Sequence, residues 1–144
     1  MTYLPAGLPA PTEDVEGLSA PYWRGLREGK LLVQRCVRCT AWQFGPEWIC
    51  HGCHSFELNW VEVTPRGTIF SWERVWHPVH AALKSHGPYL VVLVELAQAG
   101  GVRMLGNLLG DPMQSVAIGA PVHGEFEPHS EVEPPYTLLH WRAA

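Results

Sequence analysis

Two Cys-x-x-Cys pairs, Cys36-Val37-Arg38-Cys39 and Cys50-His51-Gly52-Cys53, are the residues of this chain best placed to do chemistry. Zinc asks for four soft ligands at tetrahedral corners, and two residues between ligands let each pair turn both sulfurs toward one ion. Ten residues lie between Cys39 and Cys50, fewer than in the commonest four-cysteine pattern but enough for a hairpin. Disulfides would require an oxidising compartment that nothing in the sequence indicates. A thioredoxin-like redox motif would be one Cys-x-x-Cys on a βαβ unit, not a matched pair. Tetrahedral sulfur also suits iron, so a rubredoxin-like iron site stays open beside structural Zn2+. His51 and His54 flank the second pair as surroundings, since four cysteines already complete the shell. Such a site is closed and does not activate water. It also consumes every cysteine in the chain, leaving no thiol to act as an acyl-transfer nucleophile.

Other chemistry is sparse. There is no Gly-x-Ser-x-Gly elbow, phosphate loop or dinucleotide fingerprint. His77-Pro78-Val79-His80, with His86 nearby, could hold a second metal or a general base. Without an adjacent carboxylate it reads as a surface loop. Glu125, Glu127, Glu131 and Glu133 read as a solvated face. No catalytic residue is assigned.

Lys and Arg total 10 against 14 Asp and Glu, a formal charge of −4. A nucleic-acid binder draws its affinity from a cationic surplus, so long polyanions are disfavoured as partners. Arg24, Arg27, Lys30, Arg35 and Arg38 nonetheless cluster in one short stretch that could meet a small anion or an acidic surface. The start of the chain lacks the basic segment and apolar core of a secretory leader, and Tyr89 to Val94 is too short to span a bilayer. The expectation is a soluble cytoplasmic protein without a membrane partner.

The elements that must position the cysteines follow from turn residues and periodicity. Residues 1 to about 20, rich in Pro and carrying Glu13, Asp14 and Glu16, read as an arm, either frayed or ordering on a partner. Ser19 is a candidate N-cap for a short helix with Pro21 in its first turn and Tyr22, Trp23 and Leu26 on one face; Gly29 ends it. Leu31 to Cys36 is a strand. After Cys53 the period is two: strands are expected at Leu58 to Thr64, Thr68 to Trp76, Tyr89 to Leu96, Val102 to Leu109, Pro121 to Glu127 and Tyr136 to Trp141. Pro65-Arg66-Gly67 and Gly100-Gly101 read as turns. This series suits a small Greek-key barrel such as an OB fold, with a β-sandwich as the alternative. Trp60, Trp72 and Trp141 are assigned to the core. Trp23, Trp42, Trp48 and Trp76 are assigned to a surface that meets a partner.

The ordered series resembles a known family. It comprises Pro21-Tyr22-Trp23-Arg24-Gly25-Leu26 through Gly29, the Arg35-to-Cys39 and Cys50-to-Cys53 segments, Gly67-Thr68-Ile69-Phe70-Ser71-Trp72, Pro88-Tyr89, Val102 to Asn107, Ile118 to Val122 and Trp141-Arg142. The chain is similar to the zinc-ribbon plus OB-fold proteins of domain-of-unknown-function family thirty-five, associated with acyl-CoA metabolism. The resemblance implies a mostly β protein: an arm and helix over residues 1–30, a rubredoxin-like zinc ribbon over 31–60 and an OB-fold Greek-key barrel over 61–144. It implies a non-catalytic accessory subunit of a thiolase-like, lipid-transfer-protein-like acyl-CoA lyase, a retro-aldolase that shortens steroid side chains, with a share in holding the CoA moiety. Relatives also act with an acyl-CoA hydratase. Candidate contacts to CoA or the partner are Trp23, Arg24, Arg27, Arg35, Arg38, Trp76 and His77. His51, where many members carry Pro, and Glu47, where a basic residue is common, leave the metal pattern intact but weaken an inherited CoA-phosphate contact there. The competing functions are a single-stranded nucleic-acid module, which OB barrels support, and a self-sufficient acyl-CoA hydrolase or hydratase.

Overall fold

A computed structural model describes residues 2–11 and 17–144. Glu13, Asp14 and Glu16 of the expected arm lie outside them. Helix α1 (Ala20–Arg27) begins where Pro21 pre-sets the backbone of the first turn and ends at Gly29, whose φ of 72° a side chain would strain. Ser19 occupies the N-cap position, but its hydroxyl makes no cap bond. Leu26 is fully buried, and Tyr22 and Trp23 pack against the core beside it.

Strand β1 (Leu31–Cys36) forms a three-stranded antiparallel sheet with β2 (Trp42–Gln43) and β3 (Leu58–Val63), in the order β2-β1-β3. The register pairs Leu31 with Val63 and Cys36 with Leu58. One end of this sheet therefore abuts the rest of the chain, while the cysteines sit at the other.

The remaining strands are β4 (Arg66–Val75), β5 (Tyr89–Leu96), β6 (Val102–Asn107), β7 (Pro121–His129) and β8 (Tyr136–Ala143). They make one sheet in the order β6-β5-β4-β7-β8. Its two edges meet: Leu108 bridges Trp141 in parallel, and the Leu109 N–H donates to the Trp141 carbonyl at 2.7 Å. A single sheet closing on itself is the OB-type Greek-key barrel and excludes the β-sandwich. A bulge between Ile69 and Ser71 supplies part of the bend that closure requires.

The expected turn at Pro65-Arg66-Gly67 is shorter than anticipated. Arg66 and Gly67 already pair with His123 and Val122 of β7. Glycine is needed at 67 for close approach, since a Cβ there would lie 2.5 Å from the Glu95 carbonyl oxygen. Likewise a Cβ at Gly106 would meet the Trp141 ring at 2.7 Å, so this glycine makes room for the largest fully buried side chain.

Strand β5 alternates strictly, burying Leu90, Val92, Val94 and Leu96. These pack with Ile69, Met104, Leu108, Val122, Leu139 and Trp141, and the same cluster includes Leu26, Leu31, Val33 and Val63. Helix, ribbon base and barrel thus share one core. Among the described residues, no helix is long and apolar enough to cross a membrane.

Candidate metal centre

Each Cys-x-x-Cys pair is built by the same local folding. The Thr40 N–H bonds to the Cys36 carbonyl at 3.1 Å, and the His54 N–H to the Cys50 carbonyl at 2.9 Å. The first cysteine's own N–H reaches forward, from Cys36 to Ala41 and from Cys50 to Ser55, at 2.9 and 2.8 Å. Both turns close on a left-handed residue four positions after the first cysteine, Thr40 and His54, each with φ of 62°. A β-branched Thr in this region is strained by about 1–2 kcal/mol. Such strain persists where surrounding structure over-determines it, as a metal cross-link does.

The turns bring all four sulfurs within 4.8 Å of one another. Cys36 and Cys53 lie 3.6 Å apart, and Cys39 and Cys50 3.5 Å. A tetrahedral zinc site with bonds of about 2.3 Å has sulfur–sulfur edges of about 3.8 Å, so the donor set fits the ion. Cys36 and Cys50 are buried, Cys39 and Cys53 exposed. N–H groups aimed at sulfur favour thiolate. The Cys39 N–H above all, with that of Arg38, brings Cys36 down to about 6 against the effect of burial. The N–H groups of Cys53 and Gly52 lower Cys50, the Gly52 bond being 3.3 Å long. Cys39 receives the Ala41 N–H, yet the Cys50 sulfur and burial push it up to about 12. Four neighbouring sulfurs cannot all ionise without a cation between them, and a divalent ion removes that conflict.

A buried glutamine pair, which sequence reasoning missed, ties the ribbon together. Gln43 Nε2 donates to Gln34 Oε1 at 3.1 Å and to the Ile49 carbonyl at 3.2 Å. Gln34 in turn holds both backbone groups of Glu47, and Gln43 Oε1 accepts from the His51 N–H. The only hint in the sequence was a glutamine, Gln34, at an inward-alternating position of the expected Leu31 to Cys36 strand. His51 and His54 are exposed and, among the described residues, belong to no metal-binding group.

The seven residues considered for ligand or partner contact do not form one site. Trp23 is half-buried against Tyr22 and the core. Arg24 and Arg27 are exposed on α1. The Arg35 guanidinium lies 4.9 Å from the Trp42 ring centre, and Arg38 pairs with Glu57 at 3.0 Å. Trp76 and His77 are exposed beyond the end of β4 remote from the ribbon. Among the described residues, none of the seven lines the three best-formed clefts. Three tryptophan assignments need correction: Trp23 and Trp42, placed on the surface, pack half-buried against the core, and Trp60, placed in the core, is half-buried outside the core cluster. Trp60 instead helps line a shallow cleft of about 260 Å³ with Trp48 and Phe56, which are 67% and 78% exposed. Phe56 gave no sequence signal.

With this geometry in view, the relationship to known proteins can be stated. The ChsH2 rubredoxin-like zinc ribbon domain matches residues 23–59, and the ChsH2 C-terminal OB-fold domain matches residues 60–127. A solved Ltp2-ChsH2(DUF35) aldolase chain is 32% identical, superposes with a TM-score of 0.75 and is matched over 98% of its length and 94% of this one. The chain belongs to the ChsH2 (DUF35) family. The sulfur tetrahedron is accordingly a structural zinc site, and the iron alternative falls away. A DUF35 protein of unknown function from Sulfolobus solfataricus, 17% identical with a TM-score of 0.59 over 90% of this chain and 87% of its own, shares the fold. Two curated relatives are larger. The probable enoyl-CoA hydratase alpha subunit of Thermomonospora curvata is 32% identical over 88% of this chain and 37% of its own length. The 3-oxo-4,17-pregnadiene-20-carboxyl-CoA hydratase alpha subunit of Mycobacterium tuberculosis is 35% identical over 75% and 33%. This ChsH2-family chain therefore spans about a third of the curated relatives it matches.

Proposed function

We propose that this chain is a zinc-stapled accessory subunit that stabilises a thiolase-like acyl-CoA lyase, a retro-aldolase acting on a steroid-type CoA thioester. The observation that carries the reading is the likeness, along nearly the full length of both chains, to the ChsH2(DUF35) component of an Ltp2 aldolase. The chemistry of the chain agrees. Its four thiols converge on one closed site, which leaves no sulfur nucleophile. Trp48 and Phe56 on the ribbon offer the exposed aromatic surface that interfaces favour. Arg24, Arg27, Arg35 and Arg38 supply positive charge near the ribbon for the phosphates of CoA. A second reading, service to an acyl-CoA hydratase, is favoured by the two curated hydratase subunits.

The test pairs the chain with a thiolase-like lyase and, separately, with a hydratase subunit from the same genome. Lyase activity of the pair, with no turnover by the chain alone, is expected, and Trp48→Asp with Phe56→Asp should weaken the complex. Turnover of an acyl-CoA by the isolated chain would reject the accessory role. Activity restored only with the hydratase would select the second reading. Arg35→Glu with Arg38→Glu tests the CoA contact: unchanged CoA binding and unchanged assembly remove it.

A further inference from the structure

Strand β3 lies at the edge of the ribbon sheet, with β1 on one side and, among the described residues, no strand on the other. The register decides which of its backbone groups face the open side. The Val37 N–H donates to the Glu57 carbonyl at 2.9 Å, which makes these two a hydrogen-bonded pair. Antiparallel pairing alternates, and here it runs without a bulge from Cys36–Leu58 to Leu31–Val63. The backbone groups of Asn59, Val61 and Val63 therefore turn toward β1, and those of Leu58, Trp60 and Glu62 turn away. The far side of β1 agrees: the N–H of Cys36, the residue opposite Leu58, points to Ala41 and not to β3. The Leu58 N–H is used locally, on the Phe56 carbonyl at 3.1 Å. Beyond the strand the Thr64 carbonyl is also taken, by the Arg66 N–H and the Gln98 side chain. Among the described residues, nothing bonds to the backbone N–H or C=O of Trp60 or Glu62.

Such a row of donors and acceptors is a template for one more strand. The side chains beside it define which strand fits. Leu58 and Trp60 lie on the same face of the sheet as Gln34 and share a cleft with Trp48 and Phe56. An incoming residue beside Trp60 must therefore be apolar. Glu62 is the next residue on that face. It is exposed and makes no ion pair among the described residues, so its neighbour on the added strand should be basic. A second copy of this chain does not meet that requirement. Leu58–Val63 contains no Lys or Arg, so β3 laid against β3 leaves Glu62 without a cation in every register.

We propose that β3 accepts an extended strand of the lyase subunit, with an apolar residue beside Trp60 and a basic one beside Glu62, two positions away. The inference rests on the accessory role and adds how the partner is held. Main-chain bonds continue the ribbon sheet to a fourth strand, and the exposed rings of Trp48 and Phe56 flank its apolar side chains.

The experiment follows amide hydrogen exchange in the zinc-loaded full chain, free and in complex with the thiolase-like lyase. The Trp60 and Glu62 amides should exchange fast in the free chain and slow by at least about tenfold in the complex. The Val61 amide, bonded to β1 in both states, should change little. Glu62→Pro deletes an outward N–H without touching the ladder to β1. Its zinc content and melting temperature should hold while affinity for the lyase falls roughly tenfold. Glu62→Lys should also weaken the complex, and added salt should narrow its gap to wild type. An active pair in which Trp60 and Glu62 exchange as fast as in the free chain would overturn the added strand and leave the accessory role standing. Failure of the wild-type chain to assemble with the lyase would reject the accessory role, and this inference with it. Protection of both amides in the chain alone, rising with its concentration, would assign the edge to a second copy and overturn the proposal.

Discussion

Removing the zinc should melt the outer ribbon and spare the barrel. The size of the effect can be worked from the loops the metal closes. Cys36 and Cys53 are seventeen positions apart and Cys39 and Cys50 eleven. Cross-linking a loop of about fifteen residues restricts the unfolded chain by about 3 kcal/mol. Apart from the Gln34–Gln43 bonds and the partly buried Trp42 and Phe44, little in the outer ribbon replaces that constraint. Between residues 37 and 57 the fully buried side chains are Gln43, Cys50 and Ser55, with no large apolar group among them. The left-handed Thr40 and His54 would relax once released. At 1.4 kcal/mol per factor of ten, 3 kcal/mol corresponds to about a hundredfold loss of amide protection. The assay is hydrogen exchange on chelator-treated protein, kept reduced and verified zinc-free. Amides of Thr40, Cys50 and His54 should lose at least about a hundredfold, while those of β5 hold. Unchanged protection in the ribbon would show that the metal is not its main constraint. Simultaneous loss in β5 would show that ribbon and barrel unfold as one unit.

Two further outcomes follow from packing and charge. Gly67→Ala should cost about 3 kcal/mol in urea denaturation, because the new methyl meets the Glu95 backbone oxygen, which cannot move aside without opening the sheet; a cost below about 1 kcal/mol would show that the strands separate easily. Stability should fall on acidification in two windows. His140 is held below its ordinary value by burial, so from about pH 6.5 downward the unfolded chain takes up a proton that the folded one refuses. Burial pushes Glu127 up, but the Tyr3 N–H, His129 and His140 outweigh it and hold the carboxyl low. Its contribution is therefore present above about pH 4.3 and lost below. Thermal melts with zinc release monitored alongside should show both windows, and His140→Phe should abolish the upper one and shrink the lower, since His140 is one of the groups that hold Glu127 low.

What could be read beforehand was what depends on neighbours in the chain. The cysteine pairs are local, so spacing alone implied the tetrahedron. Tyr89 to Leu96 was legible to the residue, because a near-continuous apolar run, broken only by Glu95, between Pro88 and the following turn leaves little choice of bounds. The misreadings all required knowing what lay across a sheet. Glu127 looked like one member of a solvated face, yet its side chain is only 15% exposed, with His129 on one oxygen and His140 beside the other. His140 reaches it because β7 and β8 pair with Glu127 opposite Leu138, a register that periodicity does not specify. Trp42 was misplaced for the same reason. Its indole is covered at Gly100, far along the chain, where a Cβ would come within 2.8 Å of the ring. The arm is clearer for residues 2–11 than its prolines suggested. Tyr3 docks on this chain's own barrel, hydrogen-bonded to Glu127.

Leu31, Val33 and Val63 of the ribbon sheet lie in one cluster with Val94, Leu108 and Trp141 of the barrel. The two halves are therefore packed as a single unit. A chimera joining the ribbon of one relative to the barrel of another would put mismatched side chains at this seam and be destabilised by cavities or overpacking. Transplanting both halves together keeps the seam intact. Shuffling between large and small members of the family should accordingly proceed by whole cassettes.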